Sequence, residues 1–130
     1  MSEQISLEVP ATLSALSIVR MVLGGLGARL DFSLEDLDDL YLATDRLLQA
    51  ALDAEELDAL TVRVAVGEGV LRVAAGEFRT DELRSQVGVT PGGCIDLCTL
   101  LQRILDEVTL VEDAGSFSVV MVKHGRGGGA

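Results

Sequence analysis

Asp45 and Gln49 stand four residues apart, so a helix would set a carboxylate and an amide on successive turns of one face. They belong to a longer line, Asp38, Leu42, Asp45, Gln49 and Leu52, stepping by four, three, four and three residues. A mostly polar line of this kind either handles a ligand or meets water. Other reactive side chains are few. Cys94 and Cys98 are also four apart, without the further ligands a structural zinc site requires, and read as buried reduced thiols. His124 is the single histidine, and no Ser/His/Asp or Cys/His nucleophilic set assembles around it.

The element that must position Asp45 and Gln49 is the stretch Ser33–Leu52. Leu37, Leu40, Tyr41, Thr44, Leu47, Leu48 and Ala51 recur at helical spacing and form its core face. Ser33 and Asp36 read as a capping box, with Glu35, Asp36, Asp38 and Asp39 near the positive end of the helix dipole. Upstream, Ile5, Leu7 and Val9 alternate with polar residues as a first strand, and Pro10 closes it before a helix over Ala11–Leu30. Gly24, Gly25 and Gly27 interrupt that helix at about 1 kcal/mol each relative to alanine. They imply either close approach to a neighbouring backbone, the reading preferred here, or fraying. Arg20 lies off the Leu16–Val19–Leu23 stripe and is expected to be exposed.

Leu60–Val66 and Val70–Ala75 read as strands joined by a tight Gly67-Glu68-Gly69 turn. Gly76–Gly93 has no clear period, with a turn of helix near Asp81–Gln86 at most. Cys94–Glu107 is helical in pattern, and Val108–Val111 and Ser116–Lys123 form a second hairpin. The order β-α-α-β-β-loop-α-β-β predicts an α+β two-layer sandwich, mainly antiparallel, with three helices on one sheet face. One domain over residues 1–123 and a disordered glycine-rich tail over 124–130 are expected.

The chain has 130 residues, 48% of them apolar and only 3% aromatic, so its core must be built from Leu, Val, Ile and Ala. Net charge is −11, which disfavours direct binding to nucleic acid or anionic membranes. No apolar run approaches the roughly 20 residues of a membrane span, and MSEQISLEVP has no signal-peptide pattern. A cytoplasmic location is expected.

The phrases EVPATLSALSIVRMVL (8–23), FSLEDLDDLYLATD (32–45), LLQRILDEVTLVEDAG (100–115) and SFSVVMVKH (116–124) resemble, in order and spacing, the anti-sigma-factor serine kinases of the RsbW/SpoIIAB type. These belong to the GHKL superfamily, whose Bergerat or histidine kinase-like ATPase fold is the one the resemblance implies. It further implies a second-helix glutamate that orients the attacking group and, four residues on, an asparagine that holds magnesium on the ATP phosphates. Aligned through Leu42-Ala43, those positions carry Arg46 and Ala50, which supply neither a base nor an oxygen ligand. Asp45 and Gln49 keep the spacing one residue earlier, about 100° away around the helix. Glu77 or Asp81 is left to substitute for the family's adenine-reading aspartate, and Gly92-Gly93 for part of its phosphate-cradling lid. Arg20 falls on the arginine that such proteins use at their sigma-factor surface.

The resemblance therefore implies a regulatory protein-binding domain, a degenerate ATPase in transcription or stress-response control. No catalytic or metal-ligating residue is expected at Arg46 or Ala50, and Arg20 is expected to be partner-binding. Asp45, Gln49, Glu77, Gly92 and Gly93 mark a vestigial ATP pocket. The expected partner is a sigma factor or an anti-sigma-factor antagonist, with a homodimer as a further expectation. The alternative is an active ATP-dependent serine protein kinase, with ATP and Mg²⁺ as cofactors, if Asp45 or Gln49, Glu77 or Asp81, and Gly92-Gly93 rebuild the pocket.

Overall fold

The computed structural model describes residues 3–54, 57–81, 83 and 97–125. Alternating side chains form five strands: β1 (Glu3–Pro10), β2 (Ala59–Gly67), β3 (Val70–Phe78), β4 (Glu107–Asp113) and β5 (Ser116–His124). They make one sheet in the order β1-β2-β3-β5-β4, and every neighbouring pair is antiparallel. The β4–β5 turn is two residues, Ala114-Gly115, with φ of 48° and 90°. Positive φ at both centres is what matches a tight hairpin to the right-handed twist of its strands.

One sheet face carries Val9, Leu60, Val62, Val64, Leu71, Val73, Ala75, Phe117, Val119 and Met121, all buried. Against it pack α1 (Leu16–Arg29), α2 (Leu34–Ala54) and α3 (Leu97–Ile104). The expected two-layer α+β sandwich is what the chain forms. Phe78 and Phe117 meet edge to face across β3 and β5, with ring centroids 5.8 Å apart. Among the described residues, no helix is long and apolar enough to cross a membrane.

The long helix α2 follows its sequence pattern closely. Ser33 Oγ accepts the Asp36 N–H at 3.0 Å, and the Asp36 carboxylate accepts the Ser33 N–H at 3.3 Å, so the capping box forms as predicted. Gly24 and Gly27 are close-approach positions. A Cβ on Gly24 would strike the Tyr41 hydroxyl, and one on Gly27 would strike the Leu37 side chain. Both contacts belong to α2, so these glycines let α1 lie tightly against it. Gly25 meets nothing and has no such role.

Several expected boundaries move, and β3 runs on to Phe78 instead of ending at Ala75. The first helix does not begin at Ala11: the Ala11 N–H donates to Asp58 O and Thr12 is extended, so the β1–β2 pairing holds the backbone past Pro10. A 3₁₀ turn over Leu13–Ala15 follows, and α1 starts at Leu16. The third helix stops at Ile104 instead of reaching Glu107, because the Asp106 N–H donates to Val122 O and Glu107 already pairs with β5. The chain is held two residues past Lys123, since His124 pairs with Val70 and the Gly125 N–H donates to Gly69 O at 2.7 Å. Cys98 is buried in α3 as expected; Cys94 lies outside the described residues.

Candidate functional site

The tight α1–α2 packing builds a cleft beside it. Tyr41 rests its hydroxyl end over Gly24 and offers its ring to Arg20, whose guanidinium carbon stands 4.7 Å from the ring centroid. Arg20 Nη2 then donates to Asp45 Oδ2 at 2.6 Å. The side chains are 51% and 26% exposed, so this charge-assisted contact sits at the rim, open to solvent. Leu13, Leu16, Ser17, Arg20, Asp45 and Gln49 line a cleft of about 360 Å³ around it.

Arg20 and Asp45 were expected to serve separate sites. The structure joins them and adds Gln49 one turn on. Arg46 is exposed outside this lining, and Ala50 is partly buried against the core. Of the two pairs four residues apart, the cleft thus takes Asp45 and Gln49. Leu42 is 40% exposed on the same line of α2, while Leu13 on the 3₁₀ turn and Met21 on α1 are 67% and 75% exposed.

Glu77 is elsewhere. It is exposed on the sheet face opposite the helices, lining a hollow of about 150 Å³ with Thr61, Arg63, Ala74, Gly76 and Ser118. The β3–β5 register shifts between Ala75 and Phe78, a bulge that leaves Ala75 and Phe78 buried while Gly76 and Glu77 both lie outside. Asp81 is exposed, and Gly92 and Gly93 lie outside the described residues. Asp45 and Gln49 therefore share one site and Glu77 stands at another.

Two contributors escaped the reading of the sequence. Helical spacing puts Tyr41 on the core face alone, yet it lies one turn before Asp45, is half-buried, and carries Arg20 on its ring. Lys123 is 2% exposed, its Nζ donating to Asp39 Oδ2 at 3.1 Å and to Ile104 O at 2.8 Å. The signal was there: Phe117, Val119, Met121 and Lys123 step by two along β5, so an inward Met121 implies an inward Lys123.

No protein-family model matches the chain. Its sequence is similar to serine-protein kinase RsbW of Bacillus velezensis, at 26% identity over 96% of this chain and 88% of that protein. It is also similar to serine-protein kinase RsbW of Listeria monocytogenes, at 28% identity over 95% and 88%. The Bacillus subtilis protein of that name is 24% identical over 97% and 88%. Among solved structures, that of the RsbU and RsbW domains of a Mycobacterium tuberculosis protein superposes with a TM-score of 0.66 at 16% identity. The match covers 94% of this chain and 32% of that longer one, and shows a shared fold. The chain is RsbW-like along nearly its whole length.

Proposed function

We propose that this RsbW-like chain is a cytoplasmic regulatory binding module, a degenerate ATPase that acts by protein–protein contact on a sigma factor or an anti-sigma-factor antagonist. The observation that carries the reading is the Arg20–Asp45 pair. Among the described residues lining the cleft, Asp45 is the carboxylate, and Arg20 is presented beside it at the rim, paired at 2.6 Å, with exposed Leu13 on the turn before α1, Met21 on α1 and Leu42 on α2. A charged centre with apolar residues on the same elements suits a protein surface better than a phosphate chain, and the net charge of −11 weighs further against phosphates. A homodimer belongs to the same proposal and is read by native mass spectrometry.

The second reading, an active serine protein kinase, is favoured by one fact: Asp45 and Gln49, four residues apart, do line the same cleft. A thermal-shift titration with ATP and Mg²⁺ separates the two. A nucleotide at 100 times its Kd stabilises by about 2.7 kcal/mol, whereas the binding-module reading expects no shift at millimolar ATP. A clear shift, with phosphate transferred to a serine of an antagonist, overturns that reading. Arg20→Ala should release a bound sigma factor or antagonist while leaving the fold intact; unchanged binding counts against the surface proposed here.

A further inference from the structure

The hollow on the outer sheet face is independent of the cleft and has its own construction. Thr61 pairs with Gly76 and Arg63 with Ala74 across β2 and β3, so the register sets out a row of charge and hydroxyl groups over two small residues. A Cβ on Gly76 would strike Ser118 Oγ and the Ser118 backbone, so the missing side chain lets β5 bring the Ser118 hydroxyl against this row. Without the bulge, period-two alternation through Leu71, Val73 and Ala75 would turn Glu77 inward. With it, the carboxylate joins the outer lining.

Along the strands Arg63 and Ala74 form one row, Thr61 and Gly76 the next, and Glu77 follows Gly76, so the lining brings together a cationic residue, an acidic one and two hydroxyl residues, Thr61 and Ser118. Neither Arg63 nor Glu77 has an ion-pair partner among the described residues. Two opposite charges thus line one hollow without pairing with each other or with another described residue. At about 150 Å³ the space falls below the roughly 300–1,000 Å³ of sites for drug-sized ligands. That size suits a small molecule better than a nucleotide.

We infer that this hollow binds a small zwitterion, a free α-amino acid of glycine or serine size. Its carboxylate meets the Arg63 guanidinium in the planar fork that suits carboxylates, its ammonium meets Glu77, and a short polar side chain meets the hydroxyls. The site lies on the opposite face of the sheet from the Arg20–Asp45 cleft and stands or falls separately from the function proposed for that cleft.

The test is an amide NMR titration of the full chain with glycine and with L-serine. Sodium acetate and methylammonium chloride at matched ionic strength serve as the two halves of the ligand. Saturable shifts at Thr61, Gly76, Glu77 and Ser118 are expected with the zwitterions. Each half should bind about tenfold more weakly, the worth of one charge-assisted hydrogen bond. Arg63→Gln and Glu77→Gln, both at exposed positions, should weaken glycine binding by a similar factor with the rest of the spectrum unchanged, and Asp45→Asn should leave it unaltered. Absence of saturable shifts, or equal response to the zwitterion and to its halves, overturns the assignment. So does binding insensitive to both substitutions.

Discussion

Among the described residues, two ion pairs attach to α2, and their lengths give the wrong idea of their importance. Arg20–Asp45 is the shorter at 2.6 Å, with side chains 51% and 26% exposed. Lys123–Asp39 is longer at 3.1 Å, but its ammonium is only 3% exposed and also donates to the last carbonyl of α3. Coulomb attraction at the rim is weakened by water and salt, and the two side chains lose entropy to hold one geometry. Inside, the same charge has few alternatives, and its loss of hydration must be met by the partners it finds. The rim pair is exchangeable, which suits recognition. The buried pair joins α2, α3 and β5 and serves the fold.

The sharpest way to break this comparison is Asp39→Ala. It leaves the Lys123 ammonium buried with the Ile104 carbonyl alone, and the expected loss is about 3 kcal/mol, the lower end for removing one member of a buried pair because Asp39 is itself a third exposed. Urea unfolding measures it. A loss under about 1 kcal/mol, the range of surface pairs, would place both pairs in the same class.

Much of the scaffold that carries these two pairs is legible in the sequence. The α2 core face, its Ser33–Asp36 cap, the strand alternation and the antiparallel hairpins follow from local spacing alone, because each is settled within a few residues. What was not readable depends on partners distant in sequence. Glu77 counts inward by alternation and faces outward because of a bulge fixed by β5. The choice of Asp45 and Gln49 over Arg46 and Ala50 rests on how α2 is rotated against α1, and that rotation is set by Tyr41 and Leu37 fitting over Gly24 and Gly27. The first turn of α1 was lost to a strand pairing made with Asp58.

The glycines of α1 offer a middle-sized test of the same contrast, since they decide whether the rim pair is assembled. Gly25→Ala meets no atom and should stabilise by about 1 kcal/mol, the helix-propensity difference alone. Gly24→Ala carries the same propensity gain but displaces the Tyr41 hydroxyl end, so most of the gain should be cancelled. It should also disturb the ring on which Arg20 rests, visible as shifted Tyr41 side-chain resonances. Equal stabilisation by both substitutions would mean that Tyr41 is not held by the close approach of the helices.

The smallest effect is the most telling for function. Asp45→Asn keeps the shape of the side chain and removes its charge, so its coupling to Arg20→Ala in a double-mutant cycle isolates the rim pair at about 0.2–1 kcal/mol. Arg20→Ala alone should cost somewhat more, because it also gives up the contact with Tyr41, on the order of 0.5–1 kcal/mol for an exposed cation–π pair. Raising salt to about 1 M shortens the Debye length to about 3 Å. The Arg20–Asp45 coupling should then largely vanish while the Asp39→Ala loss persists. A rim coupling that survives high salt at full strength would make Arg20–Asp45 a fixed strut, too strongly held to be given up to a partner, and would remove the ground on which Arg20 is assigned to recognition.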